Sequence, residues 1–193
     1  KLKFFKKKHD HFILTTKQNI LIFNDTRKFG FIDLLKTKKL YEKNYIYRLG
    51  IDALDIRLNE KYLQNKIAKS IVPIKQILLN QRIIAGIGNI YANEILFDAR
   101  ISPFVKGSSI NLMEIRKIIQ SIRKILKNAI NSGGSTLKDY VSTDGTLGNF
   151  QKNFKVYNQE GKKISGNEIK RVIQNGRATF YCPNCQFNRT INK

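Results

Sequence analysis

The chain has 193 residues, of which 41% are hydrophobic and 26% charged. A packed core is therefore expected, which argues against a wholly disordered chain. No apolar run approaches the ~20 residues that cross a bilayer, which argues against an integral membrane protein. Lys+Arg number 36 against 14 Asp+Glu, a formal net charge of +22. A globular chain this basic usually meets a polyanion, nucleic acid first among them. A coding sequence rich in A and T is the plainer alternative, since 26 of the 36 bases are lysine and Ile and Asn abound.

Lys1–Lys8 is basic, but no hydrophobic stretch follows it, so no signal peptide is expected. Phe12–Thr16 and Ile20–Phe23 flank Lys17-Gln18-Asn19 and predict a β-hairpin. Lys28–Leu35 reads as a third strand broken by Gly30, and residues 36–57 as a mixed linker. Helical spacing runs through Asn59–Lys69 and again through Ile74–Leu79, with Pro73 at a first helical position. Gly86-Ile87-Gly88-Asn89 breaks the pattern, and Ile90–Asp98 resumes it. Asn111–Asn131 is the longest predicted helix. Leu112, Ile115, Ile118, Ile119, Ile122, Leu126 and Ile130 fall on one side, and Gly133-Gly134 stops it. Residues 142–149 have loop composition, and 154–185 return to strand character. The order is a β piece, a helical middle and a small β tail, an α+β chain.

The strongest local pattern is Asn80-Gln81-Arg82-Ile83-Ile84-Ala85-Gly86-Ile87-Gly88-Asn89-Ile90-Tyr91-Ala92-Asn93-Glu94. A helix runs into a Gly-x-Gly-Asn turn and another helix starts at once. Glycines admit a partner close to the backbone, and a fresh helix N-terminus favours a phosphate. Asn89 can cap that helix and donate to the same oxygen; a plain helical corner capped by Asn89 is the alternative. Lys8-His9-Asp10-His11 could suggest a metal site, but the spacing offers no full ligand set. Cys182-Pro183-Asn184-Cys185 is half a tetrahedral site and does not make a disulfide scaffold.

That helix–turn–helix stretch resembles the helix–two-turn–helix of the bacterial formamidopyrimidine-DNA glycosylases. Four further motifs follow the same family's order: Lys8–Phe12, Asp25-Thr26-Arg27-Lys28-Phe29-Gly30, Gly133–Tyr140 and Gly176–Cys185. The resemblance implies a base-excision glycosylase and AP lyase acting on oxidised purines in double-stranded DNA. It also implies a cytoplasmic, nucleoid-associated monomer with no membrane attachment. A non-catalytic module for damaged DNA and an endonuclease VIII-type enzyme for oxidised pyrimidines are the alternatives. Residues 1–56 would be the C-terminal part of a β-sandwich domain, 57–150 the helix–two-turn–helix domain with a lesion-capping loop, and 151–193 a zinc-finger-like β-hairpin.

Site residues carry over by position. Arg27 and Phe29 match the pair that enters the duplex where the damaged nucleotide leaves, and an aromatic wedge with a guanidinium suits that space. His9 and Asn89 match DNA contacts; Lys75, on the helix before Asn89, can reach the same backbone as a point charge, a solvated helix face being its alternative. Arg177 matches the hairpin-tip arginine that grips phosphates and takes part in the second elimination, its one catalytic assignment. In the capping loop, Leu147 and Asn149 stand where the family commonly carries Pro and Tyr. The family's zinc would need two further cysteines, but counting back places Lys162 and Ser165 there. A zinc-less finger is therefore expected, with Cys182 and Cys185 reduced and the hairpin held by packing of Val156, Ile164, Ile169, Val172 and Phe180. The family's nucleophile is an N-terminal proline followed by a glutamate, whereas this sequence opens Lys1-Leu2-Lys3. The expectation is a fragment that lacks efficient excision and lyase activity by itself.

Overall fold

The structure, a computed structural model, describes residues 5–135 and 148–187. The chain divides into two compact units, Lys1–Glu42 and Lys43–Lys193. Both are built from short β pairs, and the second adds a helical core, so the architecture is α+β. Among the described residues no helix is long and apolar enough to cross a membrane.

The first unit holds the predicted hairpin. β1 (Asp10–Thr15) pairs antiparallel with β2 (Ile20–Asn24), Phe12 opposite Phe23 and Thr15 opposite Ile20. The Thr16 hydroxyl accepts the N–H groups of Gln18 and Asn19 and closes the turn. The third strand predicted over Lys28–Leu35 is absent from the described residues. Asp25 instead collects the amides that a strand would have offered to a neighbour. Its Oδ1 accepts from Arg27 N–H and Lys28 N–H, and its Oδ2 from Gly30 N–H at 2.7 Å. Lys28 sits in the left-handed region at φ 56°, which no strand permits. The chain therefore turns there, and a 3₁₀ helix at Thr37–Glu42 ends the unit.

In the second unit the segment read as a linker contains α1 (Asn44–Tyr47) and β3 (Ile51–Asp52). α2 (Glu60–Ile67) starts at Asn59, whose side chain accepts Tyr62 N–H. α3 (Ile74–Leu78) starts at Ile74 as its spacing predicts and ends one residue early, with Pro73 as its cap and not its first residue. β4 (Ile84–Ala85) pairs in parallel with β3. α4 (Asn89–Asp98) follows. Its cap is Gly88, not Asn89 as expected, so the Asn89 side chain is spared for another contact. α5 (Leu112–Asn131) opens with a capping box: Asn111 Oδ1 accepts Glu114 N–H, and Glu114 Oε2 accepts Asn111 N–H.

The core of this unit gathers Leu63, Ile74, Leu78, Ile95, Ile115 and Ile122, all fully buried, from α2, α3, α4 and α5. Ile115, Ile118, Ile119, Ile122 and Leu126 form the buried stripe of α5, as their spacing predicts. Leu112 and Ile130, expected on the same stripe, are exposed, while Ala129 beside Ile130 is buried against Phe150 and Phe154.

The tail forms two tight hairpins. β5 (Lys163–Ile164) pairs with β6 (Asn167–Glu168), and β7 (Lys170–Gln174) pairs with β8 (Arg177–Tyr181). Asn175 at φ 48° and Gly176 at φ 70° are both left-handed, the requirement of a two-residue primed turn. That turn makes Arg177 the first residue of β8 and puts it at the hairpin tip.

Candidate nucleic-acid interface

β8 has two edges. One pairs with β7, with Arg177 opposite Gln174 and Thr179 opposite Val172. The other would leave backbone groups open, a costly arrangement in a buried strand. Side chains from α3 and α4 close it. Ala178 O accepts from Asn89 Nδ2 at 3.0 Å and from Lys75 Nζ at 2.9 Å. Phe180 N–H donates to Asn93 Oδ1 at 2.9 Å. Lys75 Nζ also donates to Thr179 Oγ1 at 2.7 Å, and that hydroxyl donates on to Gln174 Oε1.

The predicted contacts Lys75, Asn89 and Arg177 therefore meet at one place, the start of β8. Lys75 is neither a solvated point charge nor a plain helix-face residue: it is 1% exposed. Burial, and secondarily the positive charge of Arg177, lower its pKa to about 8. Arg177 itself is exposed at the tip. A cleft of about 370 Å³ beside it is lined by Lys75, Gln76, Asn80, Gln174, Asn175 and Arg177, with no carboxylate in its wall. Cations and amide donors converging without a negative group suit a phosphate.

In the first unit, Asp25 holds the loop that carries Arg27 and Phe29. Phe29 is 81% exposed, and the Arg27 guanidinium lies 5.3 Å from the centre of its ring. The Asp25 carboxyl is held below the usual carboxylate range, chiefly by Gly30 N–H. His9 adopts φ 74°, and its ring centre lies 6.4 Å from that of His11. His11 Nε2 lies 2.9 Å from the Asp25 carbonyl, which can only accept, so that nitrogen carries the proton. Residues 142–147 of the expected capping loop, Leu147 included, lie outside the described residues.

The finger departs from one expectation. Cys182 and Cys185 are not free thiols but are bonded to each other. A disulfide consumes both thiolates that a zinc ion would need. Among the described residues no group of three or more His, Cys, Asp or Glu could hold a metal. Lys162 and Ser165, the expected counterparts of the other two sulfurs, carry an ammonium and a hydroxyl, so the residues present do not fit zinc. Other contacts hold the finger. Val156, Ile169 and Phe180 form its buried cluster, with Ile164 partly buried against them; Val172, expected there, lies outside it. Gln186, 2% exposed, accepts Cys182 N–H and donates to Ile101 O. Phe187 bridges Arg100 and Ser102 through the backbone. Glu94, 2% exposed, accepts the N–H groups of Lys155, Val156 and Tyr157.

Asn93, Glu94, Thr179 and Gln186 were not anticipated as site-supporting residues. Asn93 and Glu94 lie within the helical motif itself, but their partners are backbone groups, which residue type does not reveal.

The family model described as the formamidopyrimidine-DNA glycosylase H2TH domain matches residues 49–141, and that of the zinc finger found in FPG and IleRS matches 166–186. Over 181 residues the chain is 46% identical to the formamidopyrimidine-DNA glycosylase of Zymomonas mobilis, covering 93% of this chain and 67% of that protein. The Rickettsia conorii protein of the same name is 42% identical over 184 residues, with 94% and 67% covered. Among solved structures, MutM (Fpg) from Thermus thermophilus superposes with TM-score 0.86 at 35% identity, covering 94% of this chain and 70% of that one. The Lactococcus lactis Fpg, in complex with DNA containing an abasic site, gives TM-score 0.88 at 35% identity, with 97% and 69% covered. The chain thus spans about two thirds of the length of these relatives.

Proposed function

The chain belongs to the formamidopyrimidine-DNA glycosylase family, and from that premise we propose that it serves base-excision repair by gripping double-stranded DNA at an oxidised purine. Its exposed charge neutralises phosphates and steers association, with the salt dependence that counterion release imposes. Lys75, Asn89 and Arg177 hold the sugar–phosphate backbone beside the lesion. Arg27 and Phe29 fill the stack that the everted nucleotide leaves, the ring replacing base stacking and the guanidinium bonding the orphaned base. His9 adds a backbone contact. Arg177, as the donor fork nearest the lesion phosphates, also assists the later elimination by stabilising the departing phosphate.

The observation that carries this reading is the shared carbonyl of Ala178. It accepts from both Lys75 and Asn89 and belongs to the residue after Arg177, so these three side chains are gathered at the start of β8. The partner is damaged duplex DNA on a bacterial chromosome, met by a monomer. The finger does its part without zinc, through its apolar cluster, Gln186 and Glu94.

Arg177→Ala tests the reading. Binding to a duplex with a tetrahydrofuran abasic site should weaken across all sequences, and the slope of log K against log salt should fall by about 1. An unchanged slope and affinity would remove Arg177 from the interface.

A further inference from the structure

Asn93 lies one helical turn after Asn89 on α4 and is 1% exposed. Its carboxamide is used at both ends. Nδ2 donates to Asn89 O at 2.6 Å, and Oδ1 accepts Phe180 N–H at 2.9 Å. One side chain therefore ties the backbone of Asn89 to the backbone of β8, three residues from Arg177. Asn89 has little else to locate its amide. Its Nδ2 is bonded to Ala178 O, while its Oδ1 is buried and meets no donor among the described residues. The position of the Asn89 side chain thus follows from where its backbone is held. Glu94, the next residue, secures a different segment, Lys155 to Tyr157, and does not substitute for this tie.

We propose that Asn93 is a positioning residue of the DNA grip, its carboxamide setting the distance between Asn89 on α4 and the Arg177 hairpin. This rests on the reading of Asn89 and Arg177 as DNA contacts. The amide carries its donor and its acceptor on separate atoms of one planar group, so both bonds form at once. An ionised aspartate of the same shape keeps the acceptor for Phe180 N–H but sets a negative oxygen against the Asn89 carbonyl. A protonated aspartic acid regains a donor for that carbonyl and restores both bonds.

The test uses the whole chain and a short duplex carrying a tetrahydrofuran abasic site. Asn93→Asp should bind about 10-fold more weakly than wild type near pH 9, where the carboxylate is ionised, and should recover toward wild type as the pH falls through its titration, which burial raises above the ordinary aspartate value of about 4. The readout is the ratio to wild type at each pH; the charged groups on the packed elements, Lys75, Glu94, Asp98 and Arg177, are present in both proteins. Asn93→Ala, with neither bond, should be weakened at both pH values. Asn89→Ala and Arg177→Ala separate the two levels of the argument. If both bind as wild type does, the grip itself is misassigned. If both weaken while Asn93→Asp binds normally, or shows no recovery in acid, Asn93 does not position them. Should Asn93→Asp fail to fold, hydrogen exchange on the wild-type chain decides. Slow exchange at the Phe180 amide, slower still with the duplex bound, supports the tie, and exchange at the rate of an exposed amide overturns it.

Discussion

Lys75 and Ala178 are 103 residues apart in sequence, yet the lysine Nζ lies 2.9 Å from the alanine carbonyl oxygen. The bond joins a buried cation on α3 to the strand that displays Arg177. It gives Lys75 two roles that pull in opposite directions with pH. Burial, and then Arg177, lower its pKa to about 8, below the ordinary lysine value. The unfolded chain therefore binds the extra proton between the two values, and the stability of the free protein should rise with pH across that window. DNA binding should do the reverse, because the phosphate needs the charge. Affinity for duplex DNA at fixed ionic strength should fall as pH rises from about 7 to about 9, with proton uptake on binding. Lys75→Arg, which stays charged, should flatten that dependence. Anisotropy titrations check this, and a flat wild-type profile refutes it.

Glu94 concerns stability rather than affinity. Its carboxylate accepts Lys155 N–H on one oxygen and Val156 N–H and Tyr157 N–H on the other. Glu94→Gln turns one acceptor into a donor and strands at least one buried amide, a loss of about 1–3 kcal/mol. Tm should fall by several degrees for a chain of this size, which thermal unfolding followed by circular dichroism will measure. An unchanged Tm would mean that these amides find other partners.

Phe29 should matter most where a base is missing. Its ring is exposed and sits beside Arg27. Phe29→Ala is expected to weaken binding to an abasic duplex more than to an intact one, by the ~1–3 kcal/mol that an aromatic contributes on stacking with a base. Fluorescence of 2-aminopurine placed beside the abasic site gives a second readout, since the wild-type ring should quench it and alanine should not. Equal losses on both duplexes would place Phe29 outside the stack.

The finger should survive metal removal. Val156, Ile169 and Phe180 bury apolar side chains worth on the order of 1.5–3 kcal/mol each, and Gln186 adds two hydrogen bonds. A structural zinc would contribute more, but two of its sulfurs are replaced and the other two are joined. Purified protein should carry no stoichiometric zinc by mass spectrometry, and a strong chelator should leave both Tm and the Arg177-dependent binding unchanged. A zinc signal of one per chain would overturn this.

Much of this was readable in advance because it follows from local rules. The α5 stripe from Ile115 to Leu126 is a period, and the β1–β2 hairpin is an alternation interrupted by a turn; both need only neighbours in sequence. The failures involve a competing partner. Lys28–Leu35 has strand composition, but the Asp25 carboxylate takes the amides at its start. Asn89 has the chemistry of a cap, yet Gly88 serves and Ala178 O claims the side chain. Lys75 looks like any helix-face lysine until a hairpin a hundred residues away covers it. The site residues could be placed in order along the chain, but Asn93 and Glu94 could not, because their bonds run to backbone atoms, and a backbone amide leaves no trace in the residue type that carries it.

The Asp25 turn has a kinetic meaning. By holding the amides of Arg27, Lys28 and Gly30 on one carboxylate, it fixes the shape of the Arg27–Phe29 loop during folding, before any duplex arrives. The conformational entropy of ordering those residues, about 1–2 kcal/mol each, is then absent from the encounter with DNA. On the proposed reading the loop meets the duplex with its turn already formed. The cost left to the encounter then lies in opening the DNA and not in ordering this loop.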